Sequence, residues 1–165
     1  FMLLLLTTKI PKFVRLFKWI QIAQLLALYT WYIGFGIPFS NSLPLYHCRL
    51  AMFAVLLLPD DGRASSFFAL MGAGGAIVCL GLSGSLTPTT FPHITSFSFL
   101  LGHYCLLVNS LIYLLRCYDS SLLKNREIVL YTFVLDLFLV GVNQVTGGNY
   151  GLMPGHQLSK GTSSW

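Results

Sequence analysis

Acidic side chains are almost missing from this chain. It holds five, against ten lysines and arginines, in 165 residues. Charged residues make up 9% of it, where a soluble globular domain carries about 25%. That scarcity excludes an ordinary water-soluble fold and leaves hydrocarbon as the solvent for most of the chain. The four cysteines form no CxxC pair, which excludes a disulfide-stapled scaffold. The glycine-rich run "GAGGAIVCLGLSG" lacks the Lys-Ser/Thr that a P-loop requires. No internal repeat is visible, and no motif calls for a cofactor.

What is present is apolar length. The chain has room for several spans of roughly 20 residues each, but not for a second soluble domain. We read residues 1–165 as a single transmembrane helical domain, an all-α polytopic bundle of about five spans. The spans fall at roughly 14–36, 45–58, 67–86, 96–115 and 128–145. Between them, "GIPFSNSLP", "PDDGRASS", "SLTPTTFPH", "RCYDSSLLKNRE" and "TGGNYGLMPG" hold most of the Pro, Ser and Asp, as turns should. The run "MLLLLTT" near the start is too short to span and reads as the remnant of a truncated helix. Pro154 to Trp165 reads as a loop.

The net charge of +5 does not mark a nucleic-acid binder. Its carriers flank apolar helices, and no stacking platform or recognition motif accompanies them. Lys9, Lys12, Arg15, Lys18, Arg63, Arg116, Lys124 and Arg126 all fall on one side of the five-span arrangement. Only Lys160, and Arg49 at a helix start, fall on the other. Basic residues mark the cytoplasmic side and attract anionic lipid. The expectation is a multi-pass protein of the cell membrane. The second-to-third and fourth-to-fifth loops then face the cytoplasm, and membrane lipids are the expected partners. Whether it forms an oligomer or joins a partner subunit is open.

This orientation places polar groups in the outer half of the bundle. Cys48 lies about one turn inside the second span and His103 about two turns inside the fourth. Both are roughly 5–12 Å below the outer surface at 1.5 Å per residue. Asp136 sits about 13 Å down by the same rise. A cysteine and a histidine at one depth suit a nucleophile and its base, because the thiolate is the reactive form and an imidazole can generate it. The alternative is a small buried thiol and a hydrogen-bonded helix contact. Asp136 is a costly intramembrane carboxylate, expected to pair with His103 or Arg49 or to be neutralised by protonation. A metal site is not expected. His47 and Cys48 diverge by about 100° around their helix, and His103 and Cys105 by about 200°. Gly72, Gly75, Gly81 and Gly84 read as a helix-packing face. Tyr46, His47 and Arg49 read as anchors at the membrane edge.

Four stretches carry a resemblance: "LPLYHC", "FFALMGAGGAIVCLGLSGSLTP", "FPHITSFSFLLGHYCLL" and "GGNYGLM". In that order they resemble the YwaF-type integral membrane proteins of bacteria, over about Leu43 to Met153. That family shows a Pro-Leu-His-x-Cys helix start; here Tyr46 takes the place of its His, and His47 is shifted by one. The resemblance implies a fold of six or seven spans, of which this chain would be a truncated form. YwaF-type proteins are in turn similar to eukaryotic transmembrane acyltransferases that remodel phospholipids with a Cys and a His. The resemblance therefore implies a Cys-dependent lipid acyltransferase or lipid-ester hydrolase, with Cys48 as nucleophile and His103 as base. Asp136 completes the catalytic set, and His93, Asn149 and Tyr150 are candidates for substrate binding. The alternatives are a small-molecule carrier, with Asp136, Asn109 and His103 lining a path, and a non-catalytic membrane subunit.

Overall fold

The computed structural model describes residues 11–38, 42–59, 62–81, 94–118, 124–148 and 150. Among them the chain is all helix, with no strand, as its composition requires. The helices are α1 (Pro11–Gly34), α2 (His47–Leu57), α3 (Arg63–Gly81), α4 (Ile94–Arg116) and α5 (Asn125–Thr146). Three of them, α3, α4 and α5, are long and apolar enough to cross a membrane. The 24 residues of α1 are long enough, but they carry Lys12, Arg15, Lys18, Gln21 and Gln24. The 11 residues of α2 rise about 16 Å, roughly half of a 30 Å hydrocarbon core. Among the described residues, then, five helices stand at the five expected places, and three of them meet the length and composition of a span.

Helix α3 begins four residues before its expected start. Ser65 and Ser66 read as loop residues, yet they lie inside the helix. The Ser65 hydroxyl donates to the Pro59 carbonyl at 2.6 Å and the Ser66 hydroxyl to the Gly62 carbonyl at 3.2 Å. A serine that folds back onto the preceding turn satisfies itself within a helix. Residues 82–86 of that expected span lie outside the described residues. At the start of α5 the Glu127 carboxylate accepts from the Lys124 backbone N–H at 2.8 Å, one arm of a capping box. Gly147 ends α5 in the left-handed region, at φ 67°, a conformation that favours glycine.

Helix α4 is the centre of the bundle. It packs against α1, α3 and α2, and α3 also packs against α2. Close approach there rests on small side chains. A Cβ added at Gly72 would stand 2.7 Å from Ser110 Oγ, 3.0 Å from Leu106 Cδ1 and 3.2 Å from the Ala51 Cβ. Glycine at this point lets three backbones converge, the packing mode of helices in lipid. Gln21, Gln24 and Ser98 are buried between α1 and α4. They bond in a chain: Gln21 donates to Gln24 at 3.0 Å and Gln24 to Ser98 at 2.6 Å, while Gln21 Oε1 has no partner among the described residues.

Helix α5 lies on the outside of this core, and only Leu139 and Asn143 are buried on it. One stripe holds it to the rest. Glu127 pairs with Arg63 at 2.8 Å, Tyr131 packs on Phe67 at 5.4 Å between centroids, and Asn143 bonds both ways with the Tyr150 backbone. Its other face exposes Val129, Leu130, Phe133, Val134 and Leu137. A helix with so much bare apolar surface fits a hydrocarbon surrounding rather than water.

Candidate functional site

Tyr46 holds extended backbone before α2, at φ −66° and ψ 139°. The first helical bond of α2 runs from the Leu50 N–H to the Tyr46 carbonyl at 2.9 Å. No side chain caps this helix start. Cys48 is its second residue, so its thiol projects from the first turn. A Cβ at Gly75 would stand 3.1 Å from the Cys48 sulfur. Glycine on α3 therefore leaves the space the thiol occupies.

The structure brings Cys48 and His103 together. The Cys48 sulfur, the Cys79 sulfur and a His103 ring nitrogen all lie within 4.8 Å of one another. The two sulfurs are 3.8 Å apart, at hydrogen-bonding range for thiols. His103 is buried, at 7% exposure. Its Nδ1 lies 2.7 Å from the Phe99 carbonyl one turn back. A carbonyl only accepts, so Nδ1 carries the ring proton and Nε2 keeps its lone pair. The Phe99 ring lies tilted against the imidazole, 4.2 Å between centroids, and packs beside it.

The run that carries Cys79 reads in the sequence only as helix packing, yet its thiol joins the group. Depth would have found it. Cys79 lies two residues before the end of α3, at the end of that helix facing the start of α2 and the first half of α4. Cys105, by contrast, is buried and does not join the group.

Arg49 is the third residue of α2. It lies half-buried among three rings, 5.2 Å from the Tyr32 centroid, 5.4 Å from Tyr46 and 5.9 Å from Tyr29. Desolvated cation–π contacts of this kind hold a guanidinium without a carboxylate. Nη2 donates to the Tyr32 hydroxyl at 2.6 Å. Nη1 is buried and has no hydrogen-bond partner among the described residues. Arg49 and His103 line one cleft between α1, α2 and α4, together with Gln24, Tyr32, Met52 and Ser98.

Asp136 pairs with neither His103 nor Arg49. Its Oδ1 lies 3.0 Å from His47 Nε2. His47 precedes Cys48 by one position, and that rotation of about 100° turns its ring away from the thiol and toward α5. Asn109 donates to the Phe17 carbonyl at 3.4 Å and lines a different cleft, with Val14, Lys18 and Arg116. Asp136, Asn109 and His103 therefore do not line one path.

Tyr150 is fully buried. Its hydroxyl accepts from the Leu43 N–H at 3.1 Å and its ring meets Tyr46 edge-on at 5.1 Å. It ties the end of α5 to the start of α2. Burial pushes the Tyr46 and Tyr150 hydroxyls above the ordinary tyrosine value, with the Arg49 charge opposing it in both. Both stay neutral across the physiological range. His93 and Asn149 lie outside the described residues.

A model of the TMEM164 family matches residues 2–162. The chain belongs to the TMEM164 family. This is a family of transmembrane proteins, which agrees with the apolar helices and bare lipid-type surface of α5. The match to the TMEM164 family extends to both sides of the Leu43–Met153 stretch that carries the YwaF-type resemblance. No curated protein and no solved structure matches the chain.

Proposed function

We propose that this member of the TMEM164 family is an integral membrane enzyme that moves or hydrolyses the acyl group of a lipid ester through Cys48 and His103. One observation carries the reading. A thiol and an imidazole 55 positions apart in sequence share one layer of the bundle, within 4.8 Å of each other. The likeness to YwaF-type proteins, themselves similar to Cys/His acyltransferases, supports the same pair. The bare apolar face of α5 supports a lipid surrounding.

The steps follow from the geometry. Nε2 of His103 takes the proton from the Cys48 thiol. The thiolate attacks the ester carbonyl carbon, and the carbonyl oxygen becomes an oxyanion. Two donors are available to it: Arg49 Nη1, and the uncapped backbone N–H groups at the start of α2. The oxyanion collapses, the ester C–O bond breaks, and the leaving alcohol takes the proton back from His103. The acyl group remains on Cys48 as a thioester. A lysolipid hydroxyl or water, deprotonated by the same imidazole, then attacks the thioester and releases the thiol.

The reaction is placed in the outer half of the bilayer, with the α2–α3 and α4–α5 loops in the cytoplasm, on the strength of the basic-residue asymmetry. The test is lipid-ester turnover by purified protein in nanodiscs, with mass-spectrometric detection of an acyl adduct. An adduct on Cys48 that disappears in Cys48→Ala is expected. An adduct that persists in Cys48→Ala overturns the assignment. The carrier reading loses its support from the separation of Asp136, Asn109 and His103.

A further inference from the structure

We infer that Cys48, Cys79 and His103 form a binding site for copper(I). The three donors come from three different helices, α2, α3 and α4, and converge on one point. This convergence is not visible from spacing along any one helix. It is also a different set from the four His and Cys residues that the sequence offers in pairs on α2 and α4.

The geometry suits a coordinated ion. Two sulfurs bound at about 2.3 Å in a trigonal or tetrahedral shell sit about 3.8–4.0 Å apart. The Cys48 and Cys79 sulfurs are 3.8 Å apart. His103 is prepared as ligating histidines are. Its Nδ1–H is held by a backbone carbonyl, which fixes the tautomer and leaves the other nitrogen free to donate. Gly75 keeps backbone and side chain clear of the Cys48 sulfur.

The donor set selects the ion. Two thiolates and one imidazole are soft ligands, which favour copper(I) or zinc over hard cations. Structural zinc takes four protein ligands, and zinc on a Cys2His set completes its shell with a water. Among the described residues the group has three, with no fourth His, Cys, Asp or Glu, and a closed-shell monovalent ion is satisfied by three. Charge favours the same ion. Two thiolates with copper(I) leave one negative charge, and Arg49, which lines the same cleft as His103, offsets it. With zinc the two thiolates would already be neutralised, and the nearby guanidinium would add nothing to binding. On binding, both thiols release their protons to solvent, the two sulfurs and the ring nitrogen form bonds to the metal, and copper stays at +1. No oxidant is required.

Binding does not depend on the ester chemistry. Where both hold, a coordinated Cys48 sulfur is no longer a nucleophile, so copper(I) inhibits acyl transfer.

The experiment is an anaerobic titration of the full reduced chain in nanodiscs with copper(I), in competition with bicinchoninate, a chromophoric copper(I) chelator. One equivalent bound is expected. Cys79→Ser is expected to weaken it by at least about 100-fold, since even the loss of an outer-shell partner costs about 10–100-fold. Cys105→Ser and Cys117→Ser, outside the group, should bind as the unmodified chain does. X-ray absorption should show two sulfur neighbours and one nitrogen. Circular dichroism and thermal melting check that each variant is folded. Affinity of folded Cys79→Ser within threefold of the unmodified chain overturns the site. So does an equal loss in Cys105→Ser, which marks unspecific thiol binding. Zinc that displaces copper(I) at equal concentration overturns the choice of ion. A chain that binds one copper(I) in this pattern yet never forms an acyl adduct supports the metal site and counts against the ester chemistry.

Discussion

Asp136 Oδ1 meets His47 Nε2 at 3.0 Å, joining α5 to the first turn of α2 across 89 positions of sequence. Both side chains are partly exposed, at 42% and 31%, so the contact does not sit in a sealed core. Interhelical polar contacts in membranes average about 0.6 kcal/mol and reach about 1.7. Because α5 is otherwise held by a single stripe, this pair matters to its placement.

A double-mutant cycle on His47→Ala and Asp136→Ala should therefore show a coupling of about 1 kcal/mol in detergent melting. Asp136→Glu should retain part of the stability lost in Asp136→Leu. Additive losses would show that the two side chains do not support each other.

Gly72 and Gly74 form a second comparison. A methyl at Gly72 meets Ser110, Leu106 and Ala51, whereas one at Gly74 meets nothing within 4 Å. Gly72→Ala should cost about 1–3 kcal/mol, the usual penalty of overpacking. Gly74→Ala should be close to neutral or slightly stabilising, as alanine is the better helix former. Melting temperatures in the same detergent decide it. Equal melting of the two variants would show that α3 does not approach α4 as closely as described.

The depth of a residue along its helix was legible in the sequence, and its direction around the helix was not. Depth counting put Cys48 and His103 in one layer, and they meet there. The same counting gave Asp136 two wrong partners, since depth alone cannot say that α5 packs on the His47 face of α2. Cys79 was missed because the glycines around it drew the reading toward packing. Both statements are true of that helix, because the glycine that admits the Cys48 thiol is Gly75. Arg49 was placed by a general rule for basic residues at helix ends. The three tyrosines that hold it come from α1 and from the turn before α2, and their convergence is a property of the fold. Span ends drifted by a few residues where serines folded back onto carbonyls.

The orientation is checked by labelling. In the five-span arrangement eight of the ten basic residues fall on the side of the α2–α3 and α4–α5 loops, and the proposed orientation, with those loops in the cytoplasm, rests on that asymmetry. A cysteine introduced as Ser121→Cys in intact cells should resist an impermeant thiol reagent. One introduced as Thr89→Cys should react with it. The reverse pattern would turn the protein over and move the candidate site to the inner leaflet.

The last prediction concerns Arg49 in the proposed ester chemistry. Its Nη2 is engaged by Tyr32, and its Nη1 is buried without a partner in the cleft it shares with His103. A desolvated donor left unpaired is costly in the resting protein. That cost is recovered if the donor binds a charge that exists only during the reaction. Arg49→Lys keeps the positive charge but loses the planar fork, its second donor and its stacking among the tyrosines. Loss of one oxyanion donor costs about 10²–10³ in kcat. Arg49→Lys should fall in that range with KM little changed, because the lost interaction is made in the transition state and not with bound substrate. Melting measured on the same sample separates this from unfolding. A folded Arg49→Lys with raised KM and unchanged kcat would instead make Arg49 a substrate anchor. Unchanged kcat and KM would leave the tyrosine cage a purely structural mount for α2.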